Sequence, residues 1–159
     1  MENQLKQRIK SGEVSIGSWL TEPSAAIAGA MVSCGFEWLA VDFEHGTADI
    51  SQVQDVFIAI ERYGATPLVR LPSADPFLGR RLLDAGAGGF IVPVVEDVTA
   101  FTNFIHHLYF PPKGRRGVSL NRATVWGDNL DDYMATFEPV IVPQVETMAG
   151  VKVAHQLAQ

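Results

Sequence analysis

The apolar positions of this chain gather into five short runs separated by longer stretches of helical period. The runs are Val14 to Leu20, Glu37 to Phe43, Thr66 to Leu71, Gly89 to Val94 and Pro139 to Val145. None alternates strictly, as a strand with one wet face would, so both faces are expected to be covered. Between the runs lie helix signals. Glu22-Pro23-Ser24 opens an Ala-rich segment that Gly35 ends. Asp49 and Ser51 open a second, with Val53, Val56, Phe57 and Ile60 on one face and Gly64 at its stop. Asp75-Pro76 starts a third that ends at Gly86, and Asp97 caps a fourth that runs to Pro111. A polar helix over Glu2 to Ser11 precedes them, and helical spacing returns from Val151 to Gln159. Strands alternating with helices imply βα units on a parallel sheet.

Length sharpens this α/β reading. A TIM-type (β/α)8 barrel needs eight strands and typically about 250 residues. With 159 residues, five units are expected to form an incomplete barrel with an uncovered edge, one domain over 1–159 truncated at its C-terminal side. The connection from Pro111 to Ala123, followed by Trp126-Gly127-Asp128, is long for such a fold. It is expected near the site mouth or a neighbouring subunit.

Composition excludes partners more than it suggests them. Lys and Arg number 12 against 18 Asp and Glu, a net charge of −6, which leaves no basic footprint for nucleic acid or an anionic membrane. No apolar stretch reaches the roughly 18–20 residues of a membrane span. The single Cys34 and the polar start after Met1 point to a cytoplasmic location. Cys34 itself reads as a small core residue.

In parallel α/β folds ligands bind at the carboxyl ends of strands, where this sequence places its polar residues. Asp42, Glu44 and His45 follow the second run, Arg70 ends the third, and Gln144 and Glu146 end the fifth. Arg70 suits either a carboxylate or developing enolate oxygen, or a structural ion pair with Asp42 or Glu44. His45 is the general-base candidate, against a loop histidine satisfied by backbone. Glu146 is a hard oxygen donor for Mg²⁺ or Mn²⁺, against a carboxylate favoured at a helix start. Trp19 reads equally as a pocket wall or a packed core residue. Gly86-Ala87-Gly88-Gly89 links a helix to a strand and lies away from the mouth.

Taken in order, Gly17-Ser18-Trp19-Leu20, Val41-Asp42-Phe43-Glu44-His45-Gly46, Val69-Arg70-Leu71, Leu82-Leu83-Asp84-Ala85-Gly86, Arg115-Arg116-Gly117-Val118 and Pro143-Gln144-Val145-Glu146-Thr147 resemble the HpcH/HpaI aldolase family. The resemblance implies a TIM-type barrel and a class II aldolase dependent on a divalent metal ion (Mg²⁺, Mn²⁺ or Co²⁺). Its reaction joins or cleaves 4-hydroxy-2-oxo acids, with pyruvate and an aldehyde as small-molecule partners. It further implies Glu146 as a metal carboxylate, Arg70 as the holder of the pyruvate oxygen, His45 as the acid/base residue, and Trp19, Asp42 and Gln144 as pocket residues. The second metal carboxylate would be an aspartate beyond a further strand that this sequence does not contain, so weak or no activity is expected of the chain as written. Asp84 resembles the carboxylate that pairs with the histidine. Because it ends a helix away from the mouth, it is expected to come from a neighbouring subunit of a homo-oligomer. Two other readings remain at this point: a truncated or degenerate homologue serving as an assembly module, and a carbon–carbon lyase acting on a coenzyme A ester.

Overall fold

A computed structural model of the chain describes residues 3–158; Glu2, at the start of the expected first helix, lies outside them. Five strands form one sheet in the order of the chain: β1 Gly17–Leu20, β2 Trp38–Asp42, β3 Thr66–Arg70, β4 Gly89–Val92 and β5 Val140–Pro143. Every neighbouring pair is parallel. Sequential parallel strands joined by helices are the arrangement of a (β/α) barrel, and here the sheet stays open between β1 and β5. No helix among the described residues is long and apolar enough to cross a membrane.

The helices begin where local chemistry satisfies their free amides. Helix α1 (Gln4–Ser11) is capped by Asn3, α2 (Ala25–Ser33) by Ser24, α4 (Pro76–Ala85) by Asp75 and α5 (Val98–His106) by Asp97. Helix α3 (Val53–Glu61) starts later than Asp49 and Ser51 suggest. Asp49 Oδ1 accepts from the Ser51 amide at 2.8 Å and so forms a turn ahead of the helix. Gly86 stops α4 at φ 109, a left-handed conformation that glycine adopts readily because it has no Cβ.

The two faces of the sheet serve different ends. Leu39, Val41, Val69, Phe90 and Val92 point outward into a core with α2 to α5, which supply Val32, Phe57, Ile60, Leu82, Leu83 and Phe104. Ala40, Leu68, Ile91 and Val140 point inward and meet Leu5 of α1. α1 is tied beneath the strands: Asn3 Nδ2 donates to Gly88 O at 2.6 Å, and Lys6 Nζ to Pro139 O at 3.1 Å. The expectation of strands covered on both faces holds for β4, which is buried throughout, and fails for β5, whose Val142 is 39% exposed at the sheet edge. Cys34 is a second correction: it follows α2 as its C-terminal cap and is exposed, because Gly35 turns the chain away from the core.

The Pro111–Ala123 connection does not lie at the mouth. It leads into a short 3₁₀ helix (Arg122–Gly127) and then α6 (Leu130–Thr136), packed against the C-terminal end of α4 at the amino ends of the strands. Its arginines decide this. Arg122 Nη1 donates to Ala85 O at 2.7 Å and pairs with Glu61, while Arg116 Nη2 donates to Asp84 Oδ1 at 2.6 Å. They find there the unpaid carbonyls and a carboxylate of a helix terminus.

Candidate active site

Side-chain direction alternates along a strand, so residues two apart share a face. Trp38 and Ala40 face inward on β2, which puts Asp42 on the inner face at the carboxyl end. Leu68 does the same for Arg70 on β3, and the register pairs Asp42 directly with Arg70. By the same parity Trp19, paired with Ala40, faces inward from β1.

Arg70 forms the centre. Its Nε donates to Asp42 Oδ1 at 2.9 Å and its Nη2 to Asp42 Oδ2 at 2.5 Å, a two-pronged pair that matches a planar fork to a carboxylate. The guanidinium lies 4.6 Å from the centre of the Trp19 ring, and Nε is 3.3 Å from Glu44 Oε2. Nη1 makes no hydrogen bond within the described residues. The hydrogen bond to Asp42 does most to raise the Arg70 pKa, and the charges of Asp42, Glu44 and Glu146 add to it against desolvation. Glu146 follows β5 at the same carboxyl end of the sheet.

Asp42 is 1% exposed and fully engaged. Besides Arg70, its Oδ1 accepts from the amides of Glu44 at 3.0 Å and His45 at 3.2 Å. The Arg70 hydrogen bond, helped by both amides, holds its carboxyl below the usual carboxylate range despite burial. The loop it organises needs Gly46, because a Cβ there would come within 2.3 Å of Asp42 O and 2.6 Å of Thr21 O. His45 projects from this loop with its ring 70% exposed and Nε2 3.8 Å from Glu44 Oε2. That oxygen is buried and has an ion-pair partner in Arg70 but no hydrogen bond.

Glu146 is held from the neighbouring loop: its Oε2 accepts from the Val94 amide at 2.8 Å. It does not cap the last helix, α7 (Met148–Leu157); Thr147 does, through its Oγ1 and the Gly150 amide at 3.1 Å. Gln144 Oε1 is buried without a hydrogen-bond partner. Among the described residues no three His, Cys, Asp or Glu side chains form a metal-binding group. The oxygens of Glu146 and Gln144 nonetheless suit a hard cation of the Mg²⁺ class, which takes one or two carboxylates and draws its other ligands from water and substrate.

The structure thus brings Trp19, Asp42, Arg70, His45, Gln144 and Glu146 to one end of the sheet. Asp84 is at the other end, held by Arg116. Two participants carried no clear sequence signal of their own. Glu44 was foreseen only as an ion-pair partner of Arg70 and a neighbour of His45, and it is both; the Val94 amide belongs to the backbone. A cavity of about 490 Å³ beside Glu61, Trp126, Tyr133 and Phe137 lies at the amino ends of the strands, away from these residues.

The family model for HpcH/HpaI aldolase/citrate lyase matches residues 15–159. A hydroxypyruvate/pyruvate aldolase of Roseobacter denitrificans is 30% identical over 153 residues, which cover 94% of this chain and 59% of that protein. A 4-hydroxy-2-oxo-heptane-1,7-dioate aldolase of Escherichia coli is 33% identical over 161 residues, 99% of this chain and 61% of the relative. The crystal structure of an HpcH/HpaI aldolase/citrate lyase family protein from Burkholderia cenocepacia superposes with a TM-score of 0.89 at 32% identity, over 98% of this chain and 64% of that one. The chain spans about three fifths of the length of these relatives.

Proposed function

Since the chain belongs to the HpcH/HpaI aldolase/citrate lyase family, we propose that its mouth is the pyruvate half of a class II aldolase site acting on 4-hydroxy-2-oxo acids. The observation that carries this reading is the state of Arg70. Asp42 fixes two of its nitrogens, Trp19 covers one face, and Nη1 remains as a positioned donor. Such a donor stabilises an oxygen that gains negative charge during reaction, and it does so without reorganising.

In the cleavage direction the C3–C4 bond of the substrate breaks. A base takes the proton of the C4 hydroxyl, C4 leaves as the aldehyde carbonyl, and the electron pair passes to the enolate of pyruvate, which then gains a proton at C3. His45 is the base in this proposal, with Glu44 beside its Nε2. Arg70 holds the 2-oxo oxygen through Nη1. Asp42, with no oxygen to spare, acts by positioning Arg70 and the His45 loop. Glu146 and Gln144 would hold Mg²⁺, Mn²⁺ or Co²⁺, which supplies Lewis-acid withdrawal of charge from the 2-oxo acid. Asp84, whose side chain is 35% exposed beside Arg116, would serve His45 of a second copy in a homo-oligomer.

The test is pyruvate release from 4-hydroxy-2-oxo acids with each metal and with chelator. The expected result for this chain is weak turnover, which chelation abolishes and which His45→Ala and Arg70→Lys each reduce. Turnover indifferent to chelation, or undiminished in Arg70→Lys, would overturn the reading.

A further inference from the structure

The loop after β4 holds a backbone conformation that packing does not explain. Val94 has φ 50, in the left-handed region, where a β-branched residue is a genuine outlier. Its side chain is 52% exposed, so burial of the isopropyl group does not drive it there. Strain of this kind persists only where the surroundings over-determine it. Here they do so from the β5 side. The Val95 amide donates to Gln144 O at 3.2 Å, and Thr147 Oγ1 donates to Glu96 Oε1 at 2.6 Å. Gly150 approaches so closely that a Cβ on it would lie 2.9 Å from Val95 O. What the strained turn achieves is one bond, from the Val94 amide to Glu146 Oε2 at 2.8 Å.

We propose that the left-handed turn at Val94 is a positioning device for Glu146: its amide binds Oε2, sets the orientation of the carboxylate, and leaves Oε1 as the oxygen that takes a divalent cation. This rests on the metal-dependent reading above. Val94 is a positioning residue and touches neither metal nor substrate. A partner that orients a metal ligand is typically worth about 10- to 100-fold in metal affinity.

The experiment is a calorimetric titration of the full chain with Mn²⁺, with the unfolding midpoint of each variant recorded in chelator. Replacing the Val94 amide by an ester removes the donor while keeping the side chain, and Val94→Pro removes both the donor and the left-handed turn. Val94→Gly keeps the donor and adopts positive φ freely. Expected are a loss of Mn²⁺ affinity of about 10- to 100-fold in the ester and in Val94→Pro, and wild-type affinity in Val94→Gly. Wild-type affinity in either folded donor-less variant would overturn the proposal, as would an equal loss in Val94→Gly. An unmodified protein that binds no Mn²⁺ would overturn the metal reading of Glu146 itself.

Discussion

Arg70 at the mouth and Arg116 at the opposite end have much in common and differ in one respect. Each is poorly exposed, each is bound to an aspartate, and each lies against aromatic rings. Arg116 is walled in on all sides: its side chain is 1% exposed, stacked on Phe110 with Tyr133 and Phe137 nearby, and bound to Asp84 and the Tyr133 hydroxyl. It fastens the 111–127 connection to α4. Arg70 is 17% exposed and keeps Nη1 unspent at an open strand end. Each has a donor without a partner among the described residues, Nε in Arg116 and Nη1 in Arg70, so access separates them: the Arg116 donor is sealed from solvent and the Arg70 donor lies at an open strand end, as its proposed role requires.

The comparison breaks most visibly when each arginine is truncated. Arg70→Ala leaves the buried Asp42 charge without its ion pair, held only by the Glu44 and His45 amides, and is expected to destabilise by about 3–5 kcal/mol, read by urea unfolding. Arg116→Ala is expected to cost less, about 2–3 kcal/mol, because Asp84 recovers water that Asp42 does not. Equal losses would erase the distinction. Arg70→Lys keeps the charge but loses the fork, and kcat/KM for pyruvate release is expected to fall about 100-fold or more.

Smaller effects probe the supports. Thr147→Ala removes the cap of α7 and the tie to Glu96, at a cost of about 1 kcal/mol in chemical unfolding. Acid distinguishes the two ends more gently. Asp42 has its carboxyl lowered at the mouth, and at the far end Glu138 is lowered to about 2 from 4.5, chiefly by the hydrogen bond from Lys10 with Lys6 adding charge. A depressed carboxylate contributes stability above its unfolded pKa and loses it as pH falls through the folded one. The urea midpoint is therefore expected to fall between about pH 4.5 and 2. Glu138→Gln should remove only the far-end share of that slope, which is small because the side chain is 36% exposed.

Much of this was legible in advance because it depends on local chemistry. Ser and Asp caps, αL glycines and apolar runs located most helices and the strands, since a helix start must satisfy amides and a strand must cover its faces. Legibility failed where partners are remote. The sequence left Glu146 between a metal donor and a carboxylate at a helix start; Thr147 caps the helix, and Glu146 accepts from an amide 52 residues away. The length of the 111–127 connection suggested a place near the mouth or a neighbouring subunit; within the chain it is away from the mouth, because its arginines find acceptors on α4 and α3.

The sequence by itself determined the βα repeat, the strand ends at which Asp42, His45, Arg70 and Glu146 lie, and, through the two-residue period of strands, that Asp42 and Arg70 share faces with their own apolar neighbours. Tertiary structure alone decided that these two are register partners, that Arg70 Nη1 has no hydrogen bond among the described residues, and that a strained Val94 amide holds Glu146. The physical reason is reach: periodicity and capping act over a few residues, whereas hydrogen bonds between strands and loops depend on which segments the fold brings side by side.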